Sequence, residues 1–387
     1  MELPDQDRSK DHLLIASVFL LVGMGLVALY SASYAFSQRR FDNGLYLLKQ
    51  QALLGGAGIV LFFLASLINL EILRKFVKPL VLLSMILCVL PFISFFAARQ
   101  NAETNTARWI GIGAYTFQPS ELVKLTIPLY LAHIFDKKKE NINNLFRGLI
   151  PPTLICGVFF VLIIMQNNFS TAVFLAFNTL FIFFLAGVKF RYFFSAFLLI
   201  IPTAALLILN REHRLMRILS WLMRILNGFI NHVGNDYQPQ GAGYQVRASI
   251  LAINSGGFWG KGIGQGTRKI ISVPEIHSDF IFASYAEELG FLGVLLFCLL
   301  FGVFAVRGYH GSMKNENSFN RLLGCGLVTM IISQVLLNIA VVTGVLPVTG
   351  VPLPFFSHGG SSLVITLIMA GLVVNVSRVS KSSGREY

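Results

Sequence analysis

Leu13–Ala35, LLIASVFLLVGMGLVALYSASYA, runs for 23 residues without a charge. A helix that crosses a bilayer needs about 20 mostly apolar residues, so this stretch is read as a membrane span. It exceeds the roughly 7–15 apolar residues of a cleavable signal, which predicts an anchor that stays in the chain. The pattern recurs at Ala52–Leu70, Pro79–Ala98, Leu149–Met165, Thr171–Val188, Tyr192–Leu209, Phe280–Val306, Leu322–Leu346 and Ser361–Ser377. Ser120–Phe135 is shorter and carries Glu121 and Lys124, and it completes a set of ten.

Composition agrees. The chain has 387 residues, 55% hydrophobic and 13% charged, where a soluble domain carries about 25% charge; its mean hydropathy is +0.69. The expected fold class is an all-α integral membrane protein of ten transmembrane helices, one polytopic domain over 1–387, with one large outer loop at about 210–279. Cys88, Cys156, Cys298 and Cys325 all fall inside apolar runs, without metal-ligand spacing, and read as core thiols.

A net charge of +13 would suit nucleic acid in a soluble protein, but here it acts as a topology signal and no nucleic-acid partner is expected. With the N-terminus inside, the inner segments 1–12, 71–78, 136–148, 189–191, 307–321 and 378–387 hold 17 Lys and Arg. The short outer segments 36–51, 99–119, 166–170 and 347–360 hold 5. The positive-inside rule then places both termini in the cytoplasm.

The outer loop opens with residues 212–230, EHRLMRILSWLMRILNGFI, in which Arg214, Arg217 and Arg224 alternate with Leu215, Ile218, Leu219, Leu222, Ile225 and Leu226. Such a helix either lies in the headgroup layer with its arginines on lipid phosphates or covers the bundle. Tyr244–Ser255 reads as a short helix, followed by Gly256, Gly257, Gly260, Gly262, Gly264 and Gly266. No strand precedes these glycines and Lys261 is followed by Gly262, so a phosphate loop fails in context and in spelling. Glycines still allow close backbone approach, and with Lys261, Arg268 and Lys269 nearby they suit either an anion or a connector.

Pro274, Glu275, His277 and Asp279 then run into Phe280, the start of a span. Taken alone, Asp279 fits a helix cap first, and a general base at the membrane surface would look the same; His277 and Asp279 have the spacing of half a divalent-cation site, and two ligands do not make a site. Glu121 and Lys124 share a helix face. In lipid each would cost about 2.5–3.5 kcal/mol, so both must face protein or a wet cavity, and Arg108 could reach either. The same cost turns at least one of Glu287 and Glu288 inward. Pro347–Ser362, PVTGVPLPFFSHGGSS, is irregular backbone that must be buried in protein or line a cavity, with Ser357 and Ser361 as possible caps of the last span.

Taken together, these stretches resemble the SEDS family (shape, elongation, division and sporulation). The matching residues are Ala107–Arg108–Trp109 with Gln118–Pro119–Ser120–Glu121 and Lys124; Gly243–Tyr244–Gln245 with Ser255–Gly256–Gly257; Gly260-x-Gly262-x-Gly264; Pro274–Glu275-x-His277-x-Asp279–Phe280–Ile281–Phe282 with Glu287–Glu288; and Leu346–Pro347-x-Thr349–Gly350 through Gly359–Gly360–Ser361–Ser362. Two positions depart from it: Asn167–Asn168 stand where the family usually has Pro-Asp, and His358 where a tyrosine is usual. The ten-residue step from Gly264 to Pro274 is more similar to division-type (FtsW-like) than to elongation-type (RodA-like) members.

The resemblance implies a bacterial inner-membrane glycosyltransferase that polymerises lipid II, with Asp279 as general base. It implies cations on the leaving diphosphate, among them Arg108 and Lys124 with Arg247, Lys261 or Lys269, and places Glu121, Gln245, Glu275, His277 and Ser361 around the substrate. It fixes no cofactor; a divalent cation, Mg2+ or Mn2+, stays open. Implied partners are a class B penicillin-binding protein, other division or elongation membrane proteins, and membrane lipids. The same lipid-lined groove would serve a lipid II transporter, and the apolar helix surfaces would serve a division-complex scaffold.

Overall fold

The computed structural model describes residues 11–97, 108–112, 115–209, 212–230, 242–266 and 278–379. The chain is helical almost throughout: α1 His12–Phe41, α2 Tyr46–Leu67, α3 Leu70–Lys75, α4 Val77–Ala97, α5 Pro119–Lys137, α6 Ile150–Met165, α7 Phe169–Leu185, α8 Phe190–Leu209, α9 Glu212–Ile230, α10 Ala242–Gly256, α11 Ile281–Met313, α12 Ser318–Val342 and α13 Gly360–Val379. Among the described residues seven helical stretches are long and apolar enough to cross a membrane, and Val77–Phe92 and Phe169–Leu185 are shorter apolar helices. The charged span expected at Ser120–Phe135 lies within α5. This is a multi-pass helical membrane fold.

A small hairpin was not expected. β1, Ile110–Ile112, pairs antiparallel with β2, Tyr115–Phe117, in the register Ile110 to Phe117. It leads directly into α5, whose first residue, Pro119, lacks the N–H that a helix start leaves unpaired.

The segments rich in Lys and Arg meet at one end of the bundle. Asp11 caps α1 through Leu14 N, and the same carboxylate pairs with Arg307 of α11 at 2.9 Å. Arg74 pairs with Asp136, and Arg378 donates to the Ser66 carbonyl at 3.0 Å. Cys88, Cys156 and Cys325 are buried as expected, whereas Cys298 is exposed on the outside of the bundle; an apolar run with every face in lipid or protein does not say which face its thiol takes.

α11 is two helices fused at Gly290, where φ is 62° and ψ −160°. The glycine-rich segment clasps this break: Lys261 N donates to the Glu287 carbonyl (3.1 Å), Gly262 N to Glu288 (3.0 Å), and Phe291 N to Gly257 (3.0 Å). Backbone lies against backbone here, and a Cβ at Gly290 would overlap the Gly260 amide nitrogen. Gly290→Ala is therefore expected to destabilise by about 3 kcal/mol, from left-handed strain and overpacking together. Gly302→Ala, whose added methyl meets nothing within 4 Å, should not lower the thermal unfolding midpoint in detergent and should raise it slightly, since Ala is favoured over Gly in a helix interior by about 1 kcal/mol.

Candidate active site

At the end of the bundle opposite Asp11 and Arg307, α2, α7, α9, α12 and the start of α13 surround a cavity of about 1510 Å³. Its floor is the irregular segment between α12 and α13, held by polar side chains of the surrounding helices. Gln334 of α12 donates to the Pro352 carbonyl at 2.7 Å, and one helical turn on Asn338 donates to Val351 O and to Asp279 O, both at 2.9 Å. Ser357 Oγ accepts from Leu353 N at 2.7 Å and donates to the Ser278 carbonyl. Gln51 of α2 reaches the Ser357 carbonyl at 3.1 Å. Phe355 is fixed in this segment at φ 65°, a strained value for a bulky residue, with its ring tilted against Phe301 at 6.1 Å.

Asp279 lines the cavity and is, among the described residues, the single carboxylate that does so. The helix that follows is capped by Phe280, which makes no side-chain cap bond; Asp279 stands one residue earlier, with Gly350 close to its Oδ2. Its position is fixed through its own carbonyl by Asn338, which leaves the carboxylate on the cavity wall.

Three arginines share that wall: Arg108, Arg214 and Arg217. Arg108 Nη2 donates to the Asn167 carbonyl at 2.7 Å. That carbonyl is presented because Asn167 adopts the left-handed conformation, φ 58°, which asparagine tolerates well. Burial pushes the Arg108 guanidinium below its ordinary value; Arg217 adds to this, Asp279 opposes it, and Arg214 adds again. Burial likewise pushes Arg217 down, against Asp279. Arg214 and Arg217 belong to α9, so this helix turns basic side chains toward protein, with Trp221 Nε1 anchoring it to the Val345 carbonyl at 3.1 Å. The Arg224 side chain lies outside the described residues.

Of the other residues singled out in the sequence, Ser361 lines the cavity at the start of α13 and accepts from Gln118 N at 3.4 Å. Asn167, Asn168 and His358 line it too. Glu121 and Lys124 do not: they are almost wholly buried, with Lys124 Nζ 2.8 Å from Glu121 and 3.1 Å from Gln334 Oε1. Gln245 and Arg247 sit on α10 away from the cavity. Lys261 pairs with the buried Glu287 at 2.9 Å, and Glu288 accepts from Ser31 Oγ at 2.6 Å. Glu275, His277, Lys269 and Arg268 lie outside the described residues. Among the described residues no three His, Cys, Asp or Glu side chains gather as a metal site; the cationic side chains on this wall are guanidinium groups.

The cavity also opens sideways between α7 and α12, where Val173, Phe177 and Leu336 are both lining and exposed. A largely apolar chamber with a guanidinium wall, one carboxylate among the described residues and an exposed apolar flank, set in a helical membrane fold, is what the site presents. The profile of the FtsW/RodA/SpoVE family, described as cell cycle protein, matches residues 11–382. The chain belongs to this family. It is 34% identical over 374 residues to stage V sporulation protein E of Bacillus subtilis (strain 168), covering 96% of this chain and 98% of that one. It is 32% identical over 368 residues to a protein of Geobacter sp. (strain M18) named probable peptidoglycan glycosyltransferase FtsW, covering 95% and 96%. Among solved structures it is similar to a chain reported under "Structural coordination of polymerization and crosslinking by a peptidoglycan synthase complex", with TM-score 0.75, 26% identity and coverage of 96% and 98%.

Proposed function

We propose that this protein is a peptidoglycan glycosyltransferase that polymerises lipid II into glycan strands. The observation that carries this reading is the cavity itself, where Asp279 faces a basic wall beside an apolar opening. In the reaction, the GlcNAc 4-hydroxyl of the acceptor gives its proton to Asp279 as its oxygen bonds to the anomeric carbon of the donor MurNAc. The bond from that carbon to the diphosphate breaks, the electron pair leaves with the polyprenyl diphosphate, and the configuration inverts. A base must come within about 2.6–3.2 Å of the hydroxyl, and preorganised cations stabilise charge on the leaving group; Arg108 is placed for this. The opening lined by Val173, Phe177 and Leu336 takes the polyprenyl tail.

The end that gathers Asp11, Arg74 and Arg378 faces the cytoplasm of the bacterial inner membrane, which agrees with the charge bias, and the cavity faces outward. The chain works with a crosslinking partner of the class B penicillin-binding type. The test is gel analysis of lipid II products from purified protein, with and without a co-expressed transpeptidase and with and without chelator. A glycan ladder that needs the partner is expected. Lipid II crossing proteoliposome membranes, with no polymer formed even when the partner is present, would move the chain to a transporter.

A further inference from the structure

α9 carries arginines at 214 and 217 on the same face as Ile218, and all three residues line the cavity. A helix lying in headgroups would turn this stripe to lipid phosphate. Here Arg214 Nη1 donates to the Leu207 carbonyl at 3.0 Å, with its guanidinium 5.0 Å over the Phe169 ring. Arg217 Nη1 is 3.5 Å from the Val348 carbonyl. Arg108 comes from a separate segment of the chain. The Nε atoms of Arg108 and Arg217 are buried without a hydrogen-bond partner, as is Thr349 Oγ1 on the same wall. Buried donors left without acceptors cost about 1–3 kcal/mol each, and gathering like charges adds to that. A polyanion with several acceptor oxygens relieves both at once, and the guanidinium fork matches phosphate geometry.

We propose that Arg108, Arg214, Arg217 and Thr349 form a diphosphate pocket roofed by α9, and that it holds the donor's leaving diphosphate rather than the acceptor's. The assignment rests on the transferase reading above. The donor diphosphate is bonded to the very carbon that the Asp279-held hydroxyl attacks, so it lies in the same chamber as Asp279. The acceptor's own diphosphate is a whole disaccharide farther off. When the new bond forms and the old one breaks, the added negative charge appears on the donor diphosphate, where these guanidinium groups meet it. The lengthened strand is then attached to the acceptor's diphosphate. It reaches this pocket for the next cycle only after the spent polyprenyl diphosphate has left.

The experiment measures binding of farnesyl diphosphate and farnesyl monophosphate to the full-length protein in phosphatidylcholine nanodiscs, repeated with phosphatidylglycerol added. The unaltered protein should prefer the diphosphate, and Arg214→Gln and Arg217→Gln should each weaken it by at least about tenfold. Arg217→Lys keeps the charge, loses the fork and should fall between, which keeps the test open if a glutamine variant unfolds. Asp279→Asn should bind the diphosphate at least as well as the unaltered protein, because a nearby negative charge is gone. Undiminished affinity in the Arg214→Gln/Arg217→Gln double variant overturns the pocket. So does a tenfold displacement of farnesyl diphosphate by phosphatidylglycerol, which would assign these arginines to lipid headgroups. If the arginine dependence holds while Asp279→Asn polymerises normally, the pocket stands and the base assignment falls; a dead Asp279→Asn with normal binding in the arginine variants gives the reverse.

Discussion

Asp279→Asn should lower lipid II polymerisation by about 10²–10⁴-fold, the range a positioned general base contributes. The substitution keeps size and shape while removing the negative charge and the capacity to take a proton at that oxygen. The fold should survive it, because the bond from Asn338 Nδ2 to the Asp279 carbonyl at 2.9 Å is untouched, Asn keeps the side-chain shape, and Phe280 occupies the helix cap. The measurement pairs a radiolabelled product gel with size-exclusion elution and lipid II binding. A monodisperse, binding-competent and inactive variant is the expected outcome. Polymer made at the normal rate would remove Asp279 from the mechanism.

A second large effect, on stability, is expected at Lys124. Its ammonium group lies 2.8 and 3.0 Å from the two Glu121 oxygens and 3.1 Å from Gln334 Oε1, in a part of the bundle where both residues are almost completely buried. Lys124→Met leaves Glu121 as an uncompensated buried charge, which costs about 3–5 kcal/mol. It also removes the donor that positions Gln334, whose other end holds the Pro352 carbonyl in the cavity floor. Adding Glu121→Leu removes the stranded charge, and replacing both members of a buried pair by apolar groups is often neutral or stabilising. Thermal unfolding in detergent should show a deep loss in the single variant and recovery in the double one. An equal loss in both would mean that the residues matter through something other than their pairing.

The sequence carried the fold wherever one residue property has one structural use. Long uncharged runs have only the bilayer to go to, and the Lys and Arg bias marked the segments that meet around Asp11, Arg74 and Arg378. A Glu and a Lys three residues apart in an apolar helix had to face protein or a wet cavity, and the fold shows them buried as a pair. Legibility ended where one property serves two ends. Glycine permits close backbone approach to a ligand or to another helix, and only the fold shows that Gly260 and Gly290 meet each other. A basic stripe such as that of α9 suits lipid headgroups or a cavity wall, and the choice depends on where Trp221 and the 344–348 segment hold the helix. The hairpin Ile110–Ile112 with Tyr115–Phe117 consists of three-residue strands, too short for alternation to register. The cap reading of Asp279 failed by a single residue, since helix ends are the least sharply written part of a sequence.

Among the described residues, three arginines and one aspartate line the chamber, so like charges gather there and an anionic ligand would meet them. A ligand that binds only the folded chain shifts its unfolding equilibrium by about 2.7 kcal/mol at a hundredfold excess over Kd. A diphosphate bound as proposed above would by this linkage raise the thermal unfolding midpoint of the purified protein.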